Sequence, residues 1–119
     1  MTPMAEIEVS GTRRKVTLDA IIDTGFDGHV CIPIDVGVTL GLELNGRTQV
    51  ELADGSQKVE LLFAGQATFL DKKQRVRMTL TDSEEALIGT ELLTGCRLSV
   101  DFDSGDVQLK RKPTGLGKH

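Results

Sequence analysis

The sequence has few aromatic residues, with four phenylalanines and neither tyrosine nor tryptophan. Proteins that bind RNA or single-stranded nucleic acid commonly stack bases on several aromatic side chains. The formal net charge is −4, so a general attraction to a phosphate backbone is lacking as well. Both deficits predict that nucleic acid is not a partner.

Cysteine is also scarce, because only Cys31 and Cys96 occur. No Cys/His group has the spacing of a zinc site, so neither a metal nor another cofactor is predicted. A disulfide between the two cysteines stays open, but nothing in the sequence favours it. No apolar run approaches the roughly 20 residues that span a bilayer, and the first residues do not resemble a signal peptide. We therefore expect a cytoplasmic protein with reduced thiols and no membrane partner.

What the sequence does contain is short segments of alternating apolar and polar residues, separated by turns rich in Gly and Asp. This period of two predicts an all-β fold in a single domain over residues 1–111. One or two short helices are predicted, at 34–42 and at 90–93. The final stretch, 112–119, is rich in Lys, Pro and Gly and is predicted to be a flexible tail.

One loop combines residue types that suit catalysis. Asp23, Thr24 and Gly25 follow a continuously apolar run, Ala-Ile-Ile, at 20–22. An aspartate that ends such a strand is costly to bury unless it finds partners. A threonine hydroxyl and the close backbone approach that glycine permits would supply them. The tripeptide is common by chance, so an ordinary turn is the alternative interpretation.

Two later segments favour the catalytic interpretation. Residues 86–93 read Ala-Leu-Ile-Gly-Thr-Glu-Leu-Leu. A hairpin predicted over 48–63, with the tip Ala-Asp-Gly-Ser at 53–56, lies between them and the first loop. Together, segments 20–28 and 86–93 resemble the two signature segments of retropepsin-like (clan AA) aspartic proteases. The loop is most similar to that of the bacterial and archaeal group, which reads Asp-Thr-Gly-Phe. The resemblance covers about residues 5–111.

This resemblance implies a closed or partly open β-barrel, half of an acid protease, that works as a homodimer on a peptide or protein substrate. Asp23 would be the catalytic residue. Thr24 would hydrogen-bond across the dimer axis, and Gly25 would contact the substrate backbone. The other implied roles are substrate binding by Asp27 and by the flap residues Ala53, Asp54, Gly55 and Ser56, and support of the loop by Leu87, Ile88 and Gly89.

The chain departs from the retroviral pattern after its Ile-Gly pair. Retroviral members often carry arginine there, whereas this chain has Thr90. The ion pair between that arginine and the second loop carboxylate is therefore missing, which leaves the orientation of Asp27 open. The terminal residues also differ from retroviral ends, so the construction of the dimer interface is open too.

A second triplet of similar type, Asp103-Ser104-Gly105, occurs near the end of the chain. It is polar on both sides and lies between two alternating runs, 98–102 and 107–109. We therefore predict a hairpin turn there rather than a second catalytic loop. The second carboxylate of the mechanism must then come from a second copy of the chain.

The sequence thus predicts an aspartic endopeptidase, in which two Asp23 carboxylates hold the water that attacks the peptide bond. The alternative is a non-catalytic module of the same fold that dimerises or binds peptides. His29 and Cys31 are spaced to share one face of a strand, as a Cys-His nucleophile pair would require. No third residue to orient them is evident, so packing roles are preferred.

Overall fold

The computed structural model describes residues 2–112. The predicted flexible tail therefore lies outside the described residues, except for Lys112. The strands are β1 (Met4–Ser10), β2 (Lys15–Ile22), β3 (Val30–Pro33), β4 (Glu43–Glu51), β5 (Gln57–Phe69), β6 (Lys72–Thr81), β7 (Ala86–Ile88), β8 (Cys96–Val100) and β9 (Val107–Arg111). The helices are α1 (Ile34–Leu40) and α2 (Thr90–Leu93). Neither helix has the length and apolar character that a membrane span needs.

Six strands close into a barrel, in the order β1-β2-β7-β3-β6-β5, because β5 also pairs with β1. Strand β4 adds to the outer edge of β5, so the β4–β5 hairpin extends beyond the barrel. Strands β8 and β9 form a separate two-stranded sheet. The predicted all-β barrel with one or two short helices is confirmed.

Alternation along the strands builds the barrel core. On β1, for example, Ile7 and Val9 are buried, whereas Glu6 is exposed. Burial of each such side chain contributes about 1.5–3 kcal/mol, which is the main favourable term for a fold of this size. The buried cluster consists of Ile7, Val9, Ala20, Val30, Ile32, Leu40, Ala67, Phe69, Val76, Met78, Ala86, Ile88 and Leu92.

The hairpin predicted between 48 and 63 is longer than the alternating pattern indicated, because β4 and β5 pair from Glu43 with Ala64 to Glu51 with Gln57. A register shift between Leu44 and Gly46 interrupts the alternation of apolar and polar residues in β4. The first residues of the strand therefore do not follow the period of two that the rest of the hairpin shows.

The prediction that the strand after α2 runs through Phe102 is wrong. Strand β8 ends at Val100, and Phe102 is 83% exposed. The Asp101 carboxylate accepts hydrogen bonds from the backbone N–H groups of Asp103 (2.9 Å) and Ser104 (3.2 Å). These bonds lower the pKa of Asp101 and start the turn at that residue. Local turn chemistry therefore overrides the apolar alternation.

Candidate active site

The first signature loop crosses the end of β7. Strands β2 and β3 lie on opposite sides of β7, so the connection between them, 23–29, must pass over it. The backbone N–H of Asp23 donates to the carbonyl of Ile88 at 2.9 Å, and that of Thr90 donates to the carbonyl of Phe26 at 2.8 Å. The barrel topology thus brings together two segments that are more than 60 residues apart in the chain.

Gly89 lets the loop lie directly on this crossing point. A Cβ atom at residue 89 would come within 2.6 Å of the carbonyl oxygen of Phe26, and closer still to that of Gly28. Real Cβ atoms do not approach backbone oxygens so closely. Of the two residues before it, Ile88 is fully buried and Leu87 is half-buried. Strand β7 therefore forms a rigid floor beneath the loop.

Asp23 lies where β2 ends and is half-buried. Its Oδ1 accepts a hydrogen bond from the backbone N–H of Gly25 at 2.9 Å, and its carbonyl accepts one from Phe26 at 3.1 Å. The carboxylate is thus fixed by its own loop. Thr24, next in the chain, is exposed. Its hydroxyl makes no hydrogen bond within residues 2–112 and faces solvent in the single chain.

A cleft of about 450 Å³ opens beside this loop. One wall is the loop itself, including Asp27, which is exposed. The facing wall comes from the β4–β5 hairpin, and the floor comes from β6 and α2. The lining residues are Gly25, Phe26, Asp27, Gly28, His29, Val30, Thr48, Val50, Glu60, Leu62, Arg77, Thr79 and Glu91. The cleft joins loop and hairpin, as a site for an extended peptide would require.

The predicted flap tip is the turn of the β4–β5 hairpin, and all four of its residues are exposed. The Asp54 carboxylate accepts hydrogen bonds from the Ser56 hydroxyl (2.6 Å) and the Ser56 backbone N–H (2.9 Å). Both bonds favour the charged form and lower the pKa of Asp54, the hydroxyl contributing most. Gly55 has φ +87°, which suits glycine. In the single chain the tip, Ala53 included, does not line the cleft.

Comparison with solved structures identifies this architecture. The solution structure of simian foamy virus (mac) protease superimposes with a TM-score of 0.58 at 16% identity, over 77% of this chain and 92% of that one. EIAV protease, complexed with the inhibitor HBY-793, gives a TM-score of 0.58 at 15% identity, over 79% and 86%. The fold is retropepsin-like. No protein-family model and no curated protein matches the chain.

Three side chains in this retropepsin-like cleft form a cluster that the sequence did not reveal. Nη2 of Arg77 lies 3.3 and 3.2 Å from the two carboxylate oxygens of Glu91. Nδ1 of His29 lies 3.3 Å from Glu91 Oε1 and accepts a hydrogen bond from the Arg77 backbone N–H at 3.2 Å. The cluster connects the loop, β6 and α2.

Burial lowers the pKa of His29 below its usual value of 6.5, and the Arg77 charge lowers it further, while Glu91 works in the opposite direction. The imidazole is therefore neutral at neutral pH, which fits an Nδ1 that accepts a hydrogen bond. The unfolded chain binds a proton more readily than the folded one, so this group favours folding above pH 6.5 and disfavours it as the pH falls below that value.

The position after the Ile-Gly pair, where the sequence differs from the retroviral pattern, holds Thr90. In this chain Thr90 binds the carbonyl of Phe26 through its backbone N–H and, at 3.4 Å, through its hydroxyl. The guanidinium of Arg77, on β6, pairs with Glu91 rather than with Asp27. Within residues 2–112, Asp27 has no ion pair.

We expect Glu91→Gln to lower the pKa of His29 further, because Glu91 is the one neighbour that raises it. An NMR titration of the His29 ring protons measures this shift. Glu84→Gln, an exposed position outside the cluster, serves as the matched control and should leave the titration unchanged. A rise in the pKa of His29 in the Glu91 variant would contradict the arrangement described.

The remaining sequence candidates lie apart from the cleft or behind it. The triplet from Asp103 to Gly105 forms the exposed β8–β9 turn, as predicted. Cys31 and Cys96 are both free thiols, and burial raises the pKa of Cys31. A buried thiol with a raised pKa is a poor nucleophile. Since Nδ1 of His29 accepts a hydrogen bond from the Arg77 backbone N–H, the packing roles preferred for Cys31 and His29 fit this geometry better than a Cys-His pair.

Proposed function

We propose that the chain is an aspartic endopeptidase that is active as a homodimer. The observation that carries this proposal is the Asp23 carboxylate, which the Gly25 N–H holds on a loop supported by β7. Asp23 itself does not line the cleft of the single chain, but the residues that follow it in the loop, from Gly25 to His29, do. We also propose kinship with the bacterial and archaeal group that has an Asp-Thr-Gly-Phe loop, because Phe26 follows Gly25 in this chain.

The proposed reaction needs two carboxylates. One accepts a proton from the attacking water, and the other donates a proton to the carbonyl oxygen of the scissile bond. Two close carboxyl groups share one proton, because both cannot ionise easily. The described chain supplies Asp23 on a loop whose next residue, Thr24, is exposed and free to pair with the same loop of a partner. A two-fold axis at this point would complete the site.

The substrate in this proposal is an extended peptide that lies between the loop and the hairpin. Asp27 would bind its main chain from the loop side. The tip, with Ala53, Asp54, Gly55 and Ser56, would close over the peptide in the dimer. The glycine at φ +87° and the solvent exposure of the whole turn suit a segment that opens and closes.

A test combines activity with assembly. The purified protein is incubated with a diverse peptide mixture from acidic to neutral pH, and its size is measured by analytical ultracentrifugation over the same concentrations. We expect cleavage by a dimer, with activity per chain falling on dilution as the dimer dissociates. Cleavage by a monomer would exclude the shared site, and a dimer that cleaves nothing would favour the non-catalytic module of the same fold.

A further inference from the structure

Glu60 is a carboxylate in the cleft wall that lacks a cationic partner. It lies on β5 opposite Thr48 of β4 and is half-buried. No lysine, arginine or histidine of residues 2–112 lies within ion-pair distance of it. Burial is the main cause that raises the pKa of Cys31, and the negative charge of Glu60 adds to it. A half-buried charge without a partner is costly and is stabilised by any cation that reaches it.

The other charges of the cleft do not offset Glu60. The guanidinium of Arg77 is bound by both oxygens of Glu91, and His29 is neutral at neutral pH. Asp27 adds a further carboxylate on the facing wall. The cleft therefore has an excess of negative charge, and Glu60 is less exposed than Asp27.

Apolar side chains line the cleft beside Glu60, together with Thr48, which lies opposite it on β4. Val50 and Leu62 share its face of the hairpin, because residues two apart on a strand point to the same side. Phe26, on the loop, and Val30, on β3, also line the cleft. A cleft lining that combines apolar side chains with a carboxylate matches a lysine or arginine side chain, in which a hydrocarbon stem carries a terminal cation.

We propose that this cleft selects peptides with a lysine or arginine side chain in the subsite between Phe26 and Glu60. The inference rests on the proposed function, because it names the substrate class of the same site. In a two-fold dimer the subsite occurs twice, at equal distances on either side of the paired Asp23 carboxylates. Basic side chains are then favoured on both sides of the scissile bond, and the two preferences multiply in kcat/KM.

The experiment uses peptides that differ at one position only. Lysine, norleucine or glutamate is placed in turn at each of the four positions on either side of a bond that the protein cleaves. Norleucine keeps the hydrocarbon stem and removes the charge. For the wild-type protein we expect kcat/KM to be about fivefold to tenfold higher with lysine than with norleucine at the matching position, and lowest with glutamate. Raising the salt concentration should reduce this difference.

Two variants assign the preference to Glu60. Glu60→Gln should bring lysine and norleucine peptides to equal kcat/KM. Glu51→Gln is the matched control, because Glu51 lies on the same hairpin, is exposed and does not line the cleft. It should keep the preference. Loss of the preference in both variants, or in neither, would overturn the inference.

A binding measurement separates failure of this inference from failure of the proposed function. Fluorescence anisotropy of the same labelled peptides on the Asp23→Asn protein reports affinity without cleavage. Charge-independent cleavage and binding would overturn the basic subsite and leave the peptidase standing. If no peptide of the series is cleaved or bound, both proposals fail. Tighter binding of the lysine peptides, lost in the double variant Asp23→Asn/Glu60→Gln, would support the subsite without relying on turnover.

Discussion

Asp23→Asn is expected to lower kcat/KM for peptide cleavage by about a thousandfold or more, while the fold and the dimer persist. The amide cannot accept a proton from the attacking water, and each acid or base role contributes about 10²–10⁴ in rate. Asn keeps an oxygen that can still accept the hydrogen bond from the Gly25 N–H. The loop geometry should therefore survive, and circular dichroism with ultracentrifugation checks that it does.

The chain contains a matched control for this substitution. Asp103 begins the second triplet of the same kind but lies in the exposed β8–β9 turn. Asp103→Asn should leave kcat/KM unchanged. Cleavage that persists in the Asp23 variant would exclude Asp23 as the catalytic residue.

Mixing the two proteins tests whether the site is shared between subunits. With a ninefold excess of Asp23→Asn chains and random exchange, about one wild-type chain in ten finds a wild-type partner, so residual activity should fall to about a tenth. A site built within one chain would lose nothing on mixing. The same excess of Asp103→Asn chains, which can form active dimers, should not reduce activity.

The sequence predicted the parts of this site that depend on neighbours in the chain. The apolar run before Asp23 and the run before Gly89 each end a strand, and each is visible as a local pattern. The all-β fold and the hairpin followed from alternation and Gly-containing turns, whereas the barrel was implied by the resemblance to retropepsin-like proteases. In all these cases the physical signal is confined to a few consecutive residues.

The cleft chemistry could not be predicted in the same way. Arg77 meets His29 across 48 positions of sequence and Glu91 across 14, and nothing local marks these residues as partners. Glu60 was indistinguishable from any solvent-facing strand residue until the pairing with Thr48 placed it on the cleft side. The prediction for Phe102 was wrong for the opposite reason. Its alternation with Leu98 and Val100 was a local signal, but the backbone hydrogen bonds to the Asp101 carboxylate start a turn before Phe102.

Gly89→Ala is expected to be the most destabilising small substitution in the described chain, lowering the free energy of unfolding by about 3 kcal/mol or more. The added Cβ would meet the carbonyl oxygens of Phe26 and Gly28, which are backbone atoms and cannot rotate away. Relief requires moving the loop off β7, and that movement stretches the hydrogen bonds to Ile88 and Thr90. Urea unfolding monitored by circular dichroism measures the loss.

Gly105→Ala separates this steric effect from the general cost of replacing glycine. Gly105 has φ +81°, but a Cβ there meets no atom within 4 Å. Only the left-handed backbone disfavours alanine, so a loss of about 1 kcal/mol is expected. Equal losses in the two variants would mean that the loop does not rest on β7. If the loss at residue 89 is larger, residual folded protein should also cleave peptides more slowly, because the same displacement shifts the loop that carries Asp23.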